Sequence, residues 1–274
     1  MRCTRLPGAF SKPRTKAEAP PRLTRAACRH RHVRLACDHE RNTPRLLIHG
    51  ANGRMGQALQ RLCDENSGRS VVAAVSRTVG PRVIDGIPQF ASSELAGVPE
   101  FDVAIDFSLP GGFDAILGLC MARGKPLVSG TTGLSDAQLA SLEAAATKIP
   151  LIWASNFSLG VAVLHDLVER AARALPGWDC DIVEAHHTRK LDAPSGTALT
   201  LGMAAGEGGA SPHYASIRAG DIVGEHMVQF ATTGERLELI HRATNRDIFA
   251  RGALHVARTI TSRPPGRYRV ADLL

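Results

Sequence analysis

The segment RLLIHGANGRMGQALQRLC, residues 45–63, decides the fold that the sequence predicts. A short apolar run opens it, three glycines spaced three residues apart follow, and a helical pattern of apolar residues closes it. Strand, glycine turn and helix form the first half of a dinucleotide-binding unit, whose backbone closely approaches a pyrophosphate at the helix N-terminus. The spacing is GxxGxxG, with Asn52 at the usual middle glycine. A plain turn is the alternative, and the flanking strand and helix favour nucleotide binding over it.

Strands and helices then alternate as far as residue 174. Apolar runs predict strands at 70–75, 101–108, 125–129 and 149–153, and helical patterns follow at 113–122, 136–147 and 160–174. This alternation is typical of an α/β fold with a Rossmann-like, doubly wound parallel sheet, whose ligand crevice lies beyond the strand carboxyl ends. Polar segments fall at four such ends: 50–56, 107–108, 130–133 and 155–157. We therefore expect these segments to line one crevice.

The second half of the chain predicts a different architecture. The helix over 160–174 carries a core-facing stripe. Its members are Val161, Leu164, Leu167, Val168 and Ala171. Later runs at 214–218, 225–231 and 236–242 alternate partly between apolar and polar residues, with turn signals between them. They predict a mixed or antiparallel sheet in a smaller α+β domain over 156–246, beside a dinucleotide-binding domain over 45–155.

The chemistry is concentrated in EAHHTRKLDAPSGTA, residues 184–198. This stretch places a carboxylate, two imidazoles, an ammonium and a hydroxyl-rich turn between a strand end and a helix that we expect to stop at Gly206. Pro194 is tolerated in a first helical turn, so residues 195–197 would offer hydroxyls and free N–H groups where an anion binds well. An imidazole titrates near neutrality and suits proton transfer. The stretch predicts an anionic substrate that must also be protonated; polar surface is the plainer alternative.

The histidine pair does not predict a metal site. Adjacent residues of an extended segment point to opposite faces, so His186 and His187 are poorly placed to share one ion. Neither HExxH nor CxxC spacing occurs in the sequence. We expect no metal.

The end of the second strand bears on the choice of cofactor. NADH would be favoured by an Asp or Glu there, which accepts hydrogen bonds from the ribose 2′-hydroxyl. The chain instead has Ser76 and Arg77, and an arginine suits the 2′-phosphate of NADPH. An ordinary solvated arginine is the alternative. We expect NADPH or NADH to bind, with a modest preference for NADPH.

The net charge of +7 belongs to the first 44 residues. They hold eleven Lys or Arg and three acids, a net of +8, so the remainder has 22 basic and 23 acidic residues and a net of −1. That remainder gives no electrostatic argument for nucleic-acid binding. Residues 1–44 lack a sustained apolar period, so we expect a disordered basic extension. It superficially resembles an organelle transit peptide; a non-native start and a dispensable tail are the favoured alternatives.

Cysteine usage and hydropathy indicate a cytoplasmic protein. Three of the six cysteines fall in the predicted folded part, widely spaced and in apolar surroundings, which suggests reduced thiols. No window of the sequence approaches a membrane-spanning apolar run, so we expect no membrane partner.

Seven motifs occur in order along residues 45–274. They are HGANGRMG (49–56), DFSLP (106–110), SGTTG (129–133), ASNFSLGV (154–161), EAHHTRKLDAPSGTA (184–198), RAGDIVGEH (218–226) and HRATNRDIFARGA (241–253). Together they resemble the 4-hydroxy-tetrahydrodipicolinate reductase family of bacterial and plant lysine biosynthesis. The resemblance implies that NADH or NADPH reduces the cyclic product of the preceding synthase. The product would be tetrahydrodipicolinate, on the route to diaminopimelate and lysine.

The resemblance also implies roles for individual residues. His186 would be the proton donor, and Lys190 a partner that orients the substrate and stabilises charge. Substrate carboxylates would be bound by His187, Lys190, Ser195, Gly196 and Thr197. The cofactor would be bound by Gly50, Asn52, Gly53, Arg54, Met55, Gly56, Ser76, Arg77, Phe107, Ser108, Gly130, Thr131, Thr132, Ser155, Asn156 and Phe157, with Arg246 and Phe249 approaching from the second lobe.

The resemblance further implies a homotetramer assembled through the sheets of the substrate domain. Residues 156–246 would then bind substrate and form the oligomer, and about residues 247–274 would fold back to complete the nucleotide domain. Two features depart from the family pattern. The extension over 1–44 has no counterpart, and the stretch over 206–213 is shorter than in many members.

Two other functions are the alternatives to this one. A semialdehyde or amino-acid dehydrogenase is the first, but a thioester-forming enzyme needs a nucleophilic cysteine, and none lies in 184–198. A nucleotide-sensing regulator is the second, and it has no use for His186 and Lys190 together. NADPH oxidation that depends on the synthase product would separate all three.

Overall fold

The computed structural model describes residues 43–65, 71–78 and 80–274. The basic extension lies outside these residues as far as position 42, so its expected disorder stays a prediction. The described part begins at Thr43 and enters its first strand at Leu46.

Twelve strands and six α-helices are formed by the described residues. The strands are β1 (Leu46–His49), β2 (Val71–Ser76), β3 (Val83–Ile84), β4 (Ile87–Ala91), β5 (Val103–Asp106), β6 (Leu127–Ser129), β7 (Pro150–Trp153), β8 (Asp179–His186), β9 (Pro212–Arg218), β10 (Gly224–Thr232), β11 (Glu235–Ala243) and β12 (Gly266–Tyr268). The helices are α1 (Arg54–Glu65), α2 (Pro110–Arg123), α3 (Asp136–Ala146), α4 (Leu159–Ala174), α5 (Gly196–Glu207) and α6 (Asp247–Ile260). None of these helices is long and apolar enough to span a membrane.

The first sheet has the order β12-β7-β6-β5-β1-β2-β4-β3, and its pairs are parallel except for β3 with β4. The strand order reverses at β1, which lies between β2 and β5, so a ligand crevice opens at its carboxyl edge. Helices cover both faces. α1 and α6 pack over one face with Leu59 and Val256, and α2 and α3 pack over the other with Phe113 and Leu142. The predicted doubly wound α/β fold is confirmed.

The second sheet has the order β11-β10-β8-β9. β9 runs parallel to β8, and the other pairs are antiparallel, so the sheet is mixed as predicted. α4 and α5 cover one face of it. Leu164 and Val168 of α4 and Leu201 of α5 pack there against Ile182 and Phe230. After β11 the chain returns through α6 to the first sheet.

The predicted apolar stripe on α4 is wrong at Leu167, whose side chain is 45% exposed. The buried residues of α4 are Val161, Leu164, Val168 and Ala172. Leu167 lies about 100° around the helix from Val168 and therefore points away from the sheet. The sequence pattern did not separate the two because both are apolar.

The predicted stop of α5 at Gly206 is also wrong, because the helix continues to Glu207 and is capped by Gly208. A Cβ at Gly208 would lie 2.6 Å from the carbonyl oxygen of Glu169 on α4. The close approach of the two helices thus requires glycine at that position. Three nearby glycines give similar local signals, so the sequence did not identify which one ends the helix.

Three short strands, β3, β4 and β12, were not predicted. Pro88 interrupts the apolar pattern of β4, and β12 lies in a segment rich in proline and glycine that predicts a loop. All three lie at or next to an edge of the first sheet. Short edge strands carry a weak sequence signal because few of their residues are buried.

Candidate active site

The glycine turn after β1 forms one wall of the crevice. Gly50 adopts a positive φ of 82°, and a Cβ there would lie 2.5 Å from the carbonyl oxygen of Phe107. The N–H of Asn52 donates a 3.1 Å hydrogen bond to Ser76 Oγ, which ties the turn to the end of β2. α1 begins at Arg54, so the N–H groups of its first turn are available to an anion. The predicted cofactor residues Gly50, Asn52, Gly53, Arg54, Met55 and Gly56 of this turn therefore lie next to Ser76 and the adjoining Arg77.

A buried carboxylate joins the neighbouring strand ends. Asp106 is fully buried and lies 2.8 Å from His49 Nδ1. It also accepts a 3.1 Å hydrogen bond from the N–H of Ser108 and 2.8 Å bonds from the hydroxyls of Ser129 and Thr131. Burial alone would raise the pKa of Asp106, but these hydrogen bonds, that of His49 above all, lower it. The network fixes the turns after β5 and β6, and sequence reasoning did not assign it a role.

Aromatic packing extends this wall of the crevice. The rings of Phe107 and Phe157 meet edge to face with centroids 5.5 Å apart. A Cβ at Gly130 would lie 2.1 Å from the ring of Phe107, so only glycine fits beneath it. Ser108, Thr131 and Phe157 thus lie beside Phe107 and Gly130, whereas Thr132 and Ser155 are exposed at the ends of the same turns.

The second sheet presents His186 from the end of β8. Glu184 lies two residues earlier on the same face, as strand alternation requires, and its Oε2 contacts His186 Nδ1. Both side chains are buried. Arg218 of β9 donates from Nη2 to Glu184 Oε1 over 2.7 Å and from Nη1 to Oε2 over 2.9 Å. The imidazole of His186 therefore contacts the carboxylate of Glu184, which in turn accepts two hydrogen bonds from the guanidinium of Arg218.

These contacts set the protonation of the pair. Burial opposes ionisation of Glu184, but bonds from Arg218, Ser216 and His186 lower its pKa to about 2. Burial lowers the pKa of His186, and Glu184 partly counters this. The ionised carboxylate accepts a hydrogen bond from Nδ1–H, and Nε2 lies on the opposite side of the ring. Gly224 lies there, and a Cβ on it would be 3.1 Å from Nε2.

The loop after His186 holds the second predicted catalytic residue. Lys190 Nζ lies 2.9 Å from both carboxylate oxygens of Asp192, so the ammonium is paired within its own loop. His187 Nε2 lies 3.1 Å from Arg246 Nη2 at the start of α6. Phe249 follows half-buried on that helix. The structure thus places Arg246, a predicted cofactor residue, beside a predicted substrate residue.

The start of α5 completes the site. Ser195 is the N-cap of α5, so Pro194 precedes the helix and does not lie in its first turn. The Ser195 N–H donates to Glu184 Oε1 over 3.3 Å, and its hydroxyl lies 3.1 Å from His226 Nε2. Thr197 Oγ1 accepts a 3.0 Å bond from Asn156 Nδ2, which joins the predicted substrate and cofactor residues directly.

Two further residues of the site, Arg218 and His226, were missed by sequence reasoning. They lie at the two ends of the motif over 218–226, which assigned neither of them a role. Both reach the site through strand register, because Arg218 pairs with His186 and His226 pairs with Glu184. No local pattern in the sequence could place them there. Among the described residues, no group of three His, Cys, Asp or Glu side chains could hold a metal ion.

These features define a class of protein. A doubly wound sheet with a glycine-rich first turn belongs to the pyridine-nucleotide-binding folds, and an imidazole on a carboxylate beside it suits proton transfer. The combination is that of a two-lobed oxidoreductase.

Comparisons with known proteins identify the family. The model described as "Dihydrodipicolinate reductase, N-terminus" matches residues 44–157, and that described as "Dihydrodipicolinate reductase, C-terminus" matches residues 160–274. The chain belongs to the dihydrodipicolinate reductase family, as its motifs predicted.

Individual relatives agree with this assignment. The 4-hydroxy-tetrahydrodipicolinate reductase of Stenotrophomonas maltophilia (strain R551-3) is 71% identical over 232 residues, which cover 84% of this chain and 97% of the relative. The enzyme of the same name from Xanthomonas campestris pv. campestris (strain B100) is 68% identical over 231 residues, with coverages of 84% and 97%. The dipicolinate-bound dihydrodipicolinate reductase of Paenisporosarcina sp. TG-14 has the same fold, with a TM-score of 0.70 at 23% identity over 85% of this chain and 100% of that one.

The site predicts how stability depends on pH. Burial lowers the pKa of His226 to about 4, whereas an unfolded histidine titrates near 6.5. Between these two pH values only the unfolded chain binds the proton. The contribution of neutral His226 to the free energy of unfolding is therefore fully present above about pH 6.5 and decreases as the pH falls towards 4. In His226→Asn the decrease in the free energy of unfolding between pH 7 and pH 4 should be smaller than in the wild type by up to about 3 kcal/mol. Urea unfolding at pH 7 and pH 4 measures it, and the same loss in both proteins would contradict the assignment.

Proposed function

We propose that the chain catalyses the reduction of 4-hydroxy-tetrahydrodipicolinate to tetrahydrodipicolinate with NADPH or NADH, in the diaminopimelate route of lysine biosynthesis. The observation that carries the mechanism is the buried pair in which Glu184 accepts the Nδ1–H of His186. Reductases named for this reaction are 68–71% identical to the chain, which supports the substrate. NADPH oxidation on addition of the synthase product tests the proposal, and no oxidation would contradict it.

His186 is suited to donate the proton that the reduction requires. Its Nε2 points past Gly224 and away from the carboxylate that holds Nδ1. Burial lowers the pKa of the imidazole, so the protonated ring gives up its proton readily. Glu184 stabilises the charged form before transfer, because an opposite charge in contact favours ionisation. A proton donor needs both properties near neutral pH.

The substrate carboxylates would bind around the loop and the start of α5. Gly196 and Thr197 supply N–H and hydroxyl groups at a helix N-terminus. Ser195, the third predicted residue there, already uses its N–H on Glu184 and its hydroxyl on His226. His187 and Lys190 supply imidazole and ammonium groups. Because Lys190 is paired with Asp192, a substrate carboxylate would replace that partner and keep the ammonium neutralised. The dipicolinate named with the Paenisporosarcina structure is a dicarboxylate, which supports this class of ligand.

The crevice of the first sheet suits a pyridine dinucleotide. The turn from Gly50 to Gly56 keeps backbone N–H groups close to a pyrophosphate. Beyond it lies the half-buried ring of Phe107, which packs against the buried ring of Phe157. When bound, the nicotinamide supplies the hydride. The remaining predicted contacts are Ser108, Gly130, Thr131, Thr132, Ser155, Asn156, Arg246 and Phe249.

The proposed domain roles follow the two sheets. Residues 45–155, completed by about 247–274, would bind the nucleotide, and residues 156–246 would bind substrate and form the oligomer. We propose that the enzyme is cytoplasmic, because Cys120 and Cys180 are buried free thiols. Recovery of the native enzyme from another compartment would contradict this location.

His186→Gln should lower kcat by roughly 10²–10⁴-fold and change the substrate KM much less, because it removes a general acid. Lys190→Ala should also lower turnover. Steady-state kinetics with the synthase product between pH 6 and 9 measures both effects. His165→Gln on α4 is the control and should behave as the wild type. A near-wild-type kcat for His186→Gln at every pH would remove His186 from the role of proton donor.

NADPH should be preferred modestly over NADH. Ser76 and Arg77 offer no carboxylate to a ribose hydroxyl, and neither Arg54 nor Arg77 is paired with an acid among the described residues. A guanidinium–phosphate contact could favour NADPH by roughly 1–3 kcal/mol. Arg77→Ala should raise the KM for NADPH and leave that for NADH almost unchanged, whereas Arg173→Ala should change neither. Equal increases with both cofactors would show that Arg77 does not contact the 2′-phosphate.

The exposed face of the second sheet supports a homotetramer. Opposite α4 and α5 this face carries Ile217 and Ile240, which are 49% and 42% exposed, with Met227 between them. An apolar sheet face of this kind is suited to a partner. Light scattering should give the mass of four chains. Ile217→Glu should reduce that mass, whereas Val83→Glu on the edge of the first sheet should not. A monomeric wild type would contradict the proposal.

A further inference from the structure

Arg218 uses all five of its N–H groups on fixed acceptors. Two bonds reach the Glu184 carboxylate, as described above. Nη1 also donates to the carbonyl oxygen of Ile217 over 2.7 Å. Nη2 donates to the carbonyl oxygen of Asp192 over 2.6 Å, and Nε donates to that of Lys190 over 3.3 Å. Only a planar guanidinium presents five donors in this arrangement, since a lysine has three.

Glu184 is the acceptor that these groups share. Its Oε2 contacts His186 Nδ1, and its Oε1 also accepts from the N–H of Ser195. The carboxylate therefore joins β8, β9 and the start of α5. Arg218 connects the loop at Lys190 to this group, because its Nε bonds the backbone carbonyl of Lys190. Arg218 also pairs with His186 in the strand register. The two predicted catalytic residues are thus connected through one carboxylate and one guanidinium.

Resting on the reduction proposed above, we propose that Glu184 and Arg218 are positioning residues for it. Glu184 fixes His186 with the hydrogen on Nδ1, so that Nε2 is the atom that carries the transferable proton. Arg218 fixes the loop of Lys190 relative to that imidazole. Neither side chain touches the reacting atoms. Both act through His186 and Lys190, which do contact them.

The charges around His186 determine how its pKa should change when Glu184 or Arg218 is replaced. The groups that face it are Glu184 on its own strand, Arg218 on β9, His226 on β10 and Lys190 in the following loop. Burial lowers the pKa of His186, Glu184 raises it, and the two cations lower it. Burial keeps His226 neutral, with a pKa of about 4. Removing the charge of Glu184 must therefore lower the pKa of His186, whereas replacing Arg218 by lysine retains the cation.

Two variants separate charge from geometry. Glu184→Gln should lower the pKa of His186 by about 1 pH unit or more, reduce the Nδ1–H form, and lower kcat at pH 7 at least tenfold. Arg218→Lys should move that pKa by less than about 0.5 pH unit and still lower kcat about tenfold, with the KM for NADPH unchanged. Nitrogen NMR of ¹⁵N-histidine protein reads the tautomer and titration, with the His186 signals assigned from their absence in His186→Gln.

Matched controls come from the exposed pair of Arg45 and Asp102 at the opposite end of β1, where Nη2 and Oδ1 are 2.8 Å apart. Arg45→Lys and Asp102→Asn should leave kcat and the His186 signals unchanged. An unchanged tautomer and titration in Glu184→Gln, or a wild-type kcat in Arg218→Lys, would overturn the proposal.

The NMR experiment needs no substrate. It therefore tests the positioning of His186 separately from the proposed reduction. If wild-type protein does not oxidise NADPH with the synthase product, the proposed function fails while the shift in Glu184→Gln still tests the positioning of His186. If Glu184→Gln does not fold, the kcat of Arg218→Lys decides.

Discussion

The buried carboxylate of Glu184 is the group on which the arrangement of the site depends. Removing a charge from water costs several kcal/mol unless partners compensate, and here Arg218, His186 and the N–H of Ser195 do so. With a pKa of about 2, the carboxylate stays ionised wherever the enzyme could work. Its partners belong to β8, β9 and the start of α5, so one charge fixes the imidazole, an edge strand and a helix end together.

A second buried carboxylate, Asp106, plays the corresponding part in the first sheet by tying the turns after β5 and β6. Away from these two carboxylates, polar contacts join the predicted cofactor residues to the predicted substrate residues. Asn156 bonds Thr197, and His187 bonds Arg246. Polar contacts of this kind are compatible with lobe movement, which enzymes of two lobes use to exclude water around the reacting groups.

The family and much of the site followed from the sequence because their signals are local. The glycine turn at 50–56, the alternation of apolar runs and the cluster at 184–198 each lie within a short segment. They predicted the doubly wound sheet and the imidazole at a strand end, and the partly alternating runs over 214–242 predicted the mixed second sheet. The roles of individual side chains remain predictions, to be decided by the variants described above.

Sequence alone determined which segments are strands or helices and where chemical groups concentrate, because backbone conformation and side-chain type are local properties. Tertiary structure decided which groups meet. Arg218 and His226 reach Glu184 from 34 and 42 positions further along the chain, through strand register. Lys190 was predicted to orient the substrate and stabilise charge, and in the structure its ammonium is paired with Asp192. Leu167 is exposed because helix packing, not composition, selects the buried side of α4. Such outcomes depend on which surfaces pack together, and a single sequence does not record that.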